Sequence, residues 1–106
     1  MRAPGIAALL VFAALCTGTP THADSGMPLQ TLIAVCASCH GEDGQTRMVP
    51  TWGRIAGQNR EYLAYALRLY RSQGRSGKNA GLMIPYAAVL SDQEIRQLAR
   101  YYSELH

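Results

Sequence analysis

Two cysteines separated by two residues, with a histidine immediately after, occur once in the chain, as Cys36-Ala37-Ser38-Cys39-His40. C-x-x-C-H is the attachment signature of covalently bound haem. The spacing has a mechanical reason. Two residues in a helical turn set the thiols far enough apart to reach vinyl groups on adjacent pyrrole rings and form thioethers. The next side chain, His40, then aims its imidazole at the iron from the same side. Other chemistries fit less well. A Cys36–Cys39 disulfide suits an oxidising compartment. A thioredoxin-like redox pair wants a βαβ setting, which the sequence lacks. A zinc site needs a fourth ligand, and downstream of the motif the only other histidine is the terminal His106.

A haem iron has a second axial position, and what fills it decides the function. The methionines that could do so are Met27, Met48 and Met83. The ligand must come from a segment able to fold back over the opposite ring face. Met83 lies in a long glycine-rich stretch and is the preferred candidate; Met48 is the second. Core packing is the alternative role for Met83. Thioether ligation favours reduced iron and raises the potential. With both axial positions filled no substrate site remains, which points to outer-sphere electron transfer. An open sixth position would instead suit a haem-based sensor or a peroxidase-like catalyst.

The elements that must position these residues read as helices, in an all-α unit with no convincing strand. The first covers residues 29–38, with Pro28 at its start and Gly41 as a stop signal. The second covers 59–73, capped by Asn59 and ended by Gly74. Its apolar stripe is Tyr62, Leu63, Ala66, Leu67 and Tyr70. The third covers 92–105. Ser91 and Glu94 form a capping box there, with Glu94 reaching back to the cap. Ile95, Leu98, Ala99, Tyr102 and Leu105 make its buried face. Between the helices lie loops at 41–58 and 74–85, long for so small a domain. Loops of that length are commonly functional, and here they would wrap a cofactor that adds core to a short chain.

Residues 1–23 read as a cleaved secretory signal peptide. Arg2 supplies the positive region and residues 6–15 are an apolar run shorter than a membrane span; Thr21 and Ala23 are the small residues at positions −3 and −1 of the cleavage site. Cys16 follows Leu15, not a small residue, so it reads as discarded leader and not as a lipid-modified cysteine. Cleavage after Ala23 leaves residues 24–106 as one domain, exported to the periplasm, with no transmembrane segment in the mature chain. The precursor carries a formal net charge of +3. Arg54, Arg60, Arg68, Arg71, Arg75 and Lys78 face only Glu61 within their stretch. Such a surface is either a solvated helix face or a steering patch for an acidic partner. Nucleic acid is excluded by the low charge and the lack of an aromatic-basic reading motif.

The chain resembles the class I c-type cytochromes, specifically the small bacterial monohaem group like cytochrome c-553 and the single domains of dihaem cytochrome c4. The resemblance runs from about Leu32 to Leu105. It is carried by Cys-Ala-Ser-Cys-His-Gly with Asp43-Gly44, by Ile55-Ala56-Gly57-Gln58 with Glu61-Tyr62-Leu63, and by Tyr70 with Gly74-Arg75. Further matches are Met83, Ala87, Leu90-Ser91-Asp92, Glu94-Ile95 and the run from Leu98 to Tyr102. It implies a fold of three to four helices and long loops around one covalent haem c, with the first and last helices crossing through small residues such as Ala34 and Ala99. It implies iron held by His40 and Met83, the latter supported by its spacing to Leu90-Ser91. It implies a periplasmic one-electron carrier and not an enzyme. The partners would be redox proteins or membrane respiratory complexes. The same domain can instead be the electron-accepting subunit of a larger oxidoreductase such as a flavocytochrome, which leaves monomer or heteromer open. One position departs from the family. Where a proline usually offers its carbonyl to the proximal histidine, this chain has Gly53, with Trp52 beside it and expected against the haem edge.

Overall fold

Pro28 begins the first helix by supplying an acceptor and giving up a donor it would not use. Its carbonyl takes the N–H groups of Thr31 and Leu32 at 3.0 and 3.1 Å, and its φ of −60° suits helix entry. The helix that follows, α1, is Leu29–His40. These positions come from a computed structural model that describes residues 2–5, 7–11, 13–14 and 23–106. Cys16, Thr21 and His22 of the expected leader lie outside the described residues. Among those described, Leu9, Leu10 and Val11 are exposed, and no helix is long and apolar enough to cross a membrane.

Three more helices complete the fold: α2, Arg60–Arg71; α3, Ala80–Ala88; and α4, Asp92–Glu104. Among the described residues there is no strand, as the sequence leads one to expect. Helix α2 packs against both α3 and α4, and α1 crosses α4. The core joins Leu32 of α1, Leu63 and Ala64 of α2, and Ile95, Leu98, Ala99 and Tyr102 of α4. Ile95 is fully buried. The cap of α2 is as expected, with the Asn59 side chain accepting from Tyr62 N–H at 2.9 Å.

Four expectations need correction. The stretch 74–85 is not all loop, because α3 begins at Ala80 and contains Pro85. A proline there removes the bond to the Gly81 carbonyl. Gly81 and Pro85 are both exposed, so the missing bond falls on the solvent side of the helix, while Ala80 and Ala87 are buried. Ala34 is exposed; Leu32, not Ala34, meets Ala99 in the core. Helix α2 stops at Arg71, and Gln73, not Gly74, takes the left-handed turn position with φ 60°. Gly74 N–H bonds Leu69 O at 2.8 Å and Gln73 N–H bonds Tyr70 O at 3.1 Å, the double closure of a Schellman motif. Finally, Ser91 caps Glu94 N–H at 3.1 Å, but the Glu94 carboxylate turns to Ser25 N–H at 2.6 Å. The segment leading into α1 lies alongside and takes the carboxylate that a capping box would return to its own helix.

Candidate functional site

The C-terminal turn of α1 places Cys36, Cys39 and His40 on the wall of one cavity of about 480 Å³. The helical register does this unaided: positions 36, 39 and 40 share a face. Gly41 then ends the helix with φ 84° and ψ 153°, a conformation open to glycine alone. A Cβ on Gly41 would collide with the Thr46 carbonyl oxygen. The chain therefore turns sharply after His40.

The loop that returns from this turn brings Trp52 and Gly53 to the same cavity. The Gly53 carbonyl oxygen lies 2.9 Å from His40 Nδ1. A carbonyl only accepts, so Nδ1 donates and Nε2 is the nitrogen left with a lone pair. This loop is fastened at two places. Met48 N–H bonds Cys39 O at 2.9 Å, and Gly44 O accepts from Ile55 and Ala56 at 3.0 and 3.1 Å. Asp43 braces the turn, accepting from Gln45 N–H, Thr46 N–H and the Thr46 hydroxyl. The N–H donors of Thr46 and Gln45 hold its carboxyl down at about 2.

Met83 of α3 lines the cavity as well. Neither Met48 nor Met27 does; Met48 is 67 % exposed. The rest of the wall is mostly apolar and aromatic, with Leu63, Leu67, Tyr70, Leu82, Tyr86 and Leu98 among its members. A polar margin is formed by Arg54, Arg75, Ser76, Lys78 and Asn79. Placing these margin residues at the cavity needed the tertiary structure; the excess of basic residues between Arg54 and Lys78 pointed to Arg54, Arg75 and Lys78 as a charged surface, and nothing pointed to Ser76 and Asn79 beyond the glycine-rich composition of 74–81. Arg75 sits 4.8 Å over the Tyr70 ring, a cation–π contact.

Cys36 and Cys39 are free thiols. Burial pushes the Cys36 thiol up, opposed by the Tyr102 hydroxyl beside it. Burial raises Tyr102 in turn. Among the described residues no three His, Cys, Asp or Glu side chains converge to hold a bare metal ion. The donor set fits a haem: two unpaired thiols and an oriented imidazole on one side, a thioether on another helix, apolar walls, and a cationic margin for the carboxylates that a haem carries.

The profile of the cytochrome c family matches residues 30–105 of this chain. The chain belongs to the cytochrome c family. Proteins of this family are electron-transfer proteins, not enzymes, and the cofactor is covalent haem c with its iron, for which Cys36 and Cys39 provide the attachment motif. Among relatives, the chain is 44 % identical over 71 residues to cytochrome c-554(548) of Halomonas halodenitrificans, covering 67 % of this chain and 84 % of that protein. It is 41 % identical over 69 residues to cytochrome c4 of Thiocapsa roseopersicina, covering 65 % of this chain and 33 % of that one. It is 36 % identical over 72 residues to a thiosulfate dehydrogenase electron acceptor of Thiomonas intermedia, covering 68 % and 32 % respectively. The chain thus spans only about a third of the length of the last two.

Proposed function

We propose that this cytochrome c is an exported, periplasmic one-electron carrier whose haem is tethered by Cys36 and Cys39 and ligated by His40 and Met83. The observation that carries this reading is that His40 of α1 and Met83 of α3, two separate helices, line one cavity. The haem supplies the reversible Fe(III)/Fe(II) couple, and the chain's residues fix where and how stably it operates. Cys36 and Cys39 hold the group to α1, so its position is set by the helix. Gly53 holds the His40 proton on Nδ1, leaving Nε2 as the donor nitrogen; such an outer partner fixes ring orientation and ligand basicity. Met83 offers a thioether, which favours the reduced state. Trp52, Leu67, Tyr70 and Leu98 exclude water from the walls. Arg54, Arg75 and Lys78 at the margin present positive charge to an approaching acidic redox partner.

A second reading, the electron-accepting subunit of a larger oxidoreductase, is favoured by the likeness to a relative named for that role. Co-purification with a dehydrogenase or flavoprotein supports it; a monomer on gel filtration of the exported holoprotein counts against it.

The deciding experiment compares wild-type and Met83→Ala holoprotein. The oxidised wild type should show a weak near-infrared sulfur-to-iron band that the variant lacks. The reduced variant should bind carbon monoxide without denaturant while the wild type does not. A band that survives Met83→Ala moves the assignment to Met48. Carbon monoxide binding by native wild type favours a sensor or peroxidase-like protein.

A further inference from the structure

Glu94 is the most deeply buried carboxylate of the chain's helices, 5 % exposed in the first turn of α4. One oxygen, Oε1, accepts from Ser25 N–H at 2.6 Å. The other, Oε2, is buried and among the described residues has no hydrogen-bond partner. A buried acceptor left unpaired is costly, and more so when it carries charge. The haem cavity does not account for it, since Glu94 is not among the residues of that wall.

The position of Ser25 suggests what completes the pair. Ser25 is the second residue of the chain that cleavage after Ala23 would leave. In the uncleaved chain the nitrogen of Asp24 is an amide with one fixed N–H. After cleavage it becomes an ammonium with three rotatable donors and a positive charge. It would stand one residue from an N–H already bonded to Glu94.

We propose that Glu94 is the receptor for the mature N-terminus, its free Oε2 pairing with the α-ammonium that export cleavage creates on Asp24. The inference rests on the cleavage reading given above. The pairing fastens the segment leading into α1 onto α4, beside the crossing where the Tyr102 hydroxyl meets the Ile33 carbonyl at 3.4 Å. α1 carries the haem-attachment residues. Removal of the leader therefore both releases the chain and supplies a missing partner for its fold, so the processed form is the more stable one.

The test uses exported holoprotein made behind two signal sequences, one leaving Asp24 first and the other leaving Ala23 first. The extra residue moves the ammonium by about 3.8 Å along the chain. In denaturant unfolding, the Asp24 form should have an unfolding constant smaller by about tenfold, the scale of one charge-assisted hydrogen bond. Glu94→Gln keeps an acceptor for Ser25 and should abolish that difference. Equal stability of the two forms overturns the proposal, and so does a difference that persists in Glu94→Gln. If Glu94→Gln yields no holoprotein, the comparison of the two starts decides alone. The mass of protein exported behind its own leader separates the two ideas. A start at Asp24 without coupling overturns the pairing and leaves the cleavage reading standing. A start elsewhere overturns both.

Discussion

Gly53 gives its carbonyl oxygen to the Nδ1–H of His40 across 2.9 Å, thirteen residues along the chain. The contact comes from the backbone, so it does not require the proline that the family commonly has there. A Cβ built on Gly53 meets no protein atom within 4 Å, whereas one on Gly41 collides with Thr46. The two glycines next to the same histidine are therefore kept for different reasons, and substitution separates them.

Gly53→Ala should change holoprotein stability by less than about 1 kcal/mol, the gain from the lower entropy of the unfolded chain being of that size. Its reduction midpoint should stay at the wild-type value, because the carbonyl stays. Gly41→Ala should cost more than about 2 kcal/mol, from the strained backbone and the collision together. Thermal unfolding and a redox titration of the two variants check both statements.

Gln73 holds a left-handed conformation, φ 60°, at the end of α2. A side chain there costs about 1–2 kcal/mol, partly offset in glycine by its greater freedom when unfolded. Gln73→Gly should stabilise by about 0.5–1 kcal/mol, read as a higher denaturant midpoint with an unchanged slope.

Arg71 is not part of a solvated cationic face. Its guanidinium donates to the Leu90 carbonyl at 3.1 Å and to Asp92 at 2.6 Å, and its side chain is 11 % exposed while Asp92 is 55 % exposed. It ties the end of α2 to the start of α4. Arg71→Met keeps the aliphatic stem and should cost about 1–3 kcal/mol. Arg60→Met, whose ion pair with Glu61 is 3.6 Å and exposed, should shift the unfolding midpoint little.

Asp43 is held at about 2, below its ordinary 3.8. A depressed carboxyl stabilises the fold above its unfolded value and loses that contribution as pH falls through the folded one. The stability advantage of wild type over Asp43→Ala should be constant above about pH 5 and shrink steadily towards pH ~2. Unfolding of both proteins over that range measures it. An advantage that does not change with pH would show that Asp43 acts through packing and not through its charge.

Much of the site was legible because its parts are local. Cys36, Cys39 and His40 need only one helical turn to share a face, and Gly41 marks where that helix must stop. The capping residues Asn59 and Ser91 were readable for the same reason: the groups they satisfy lie three residues away. Helix α3 was not legible, since Gly74, Gly77, Gly81 and Pro85 all argue against a helix. Packing against α2 overrides that local preference, and the bond that Pro85 cannot make falls on the exposed side of the helix. Ala34 was misplaced because small size says that close approach is allowed, not which face of α1 turns inward.

The sequence by itself determined the haem-attachment motif, the all-α class and the membership of a family that moves electrons, since these depend on residue types at fixed short spacing. Only the tertiary structure decided that Met83 and not Met48 reaches the cavity of His40, that Gly53 holds the His40 ring, and that Glu94 turns to Ser25 and not to its own cap. Each of these joins segments far apart along the chain. Their approach is set by how α1, α3 and α4 pack, a balance of many contacts that no short stretch of sequence contains.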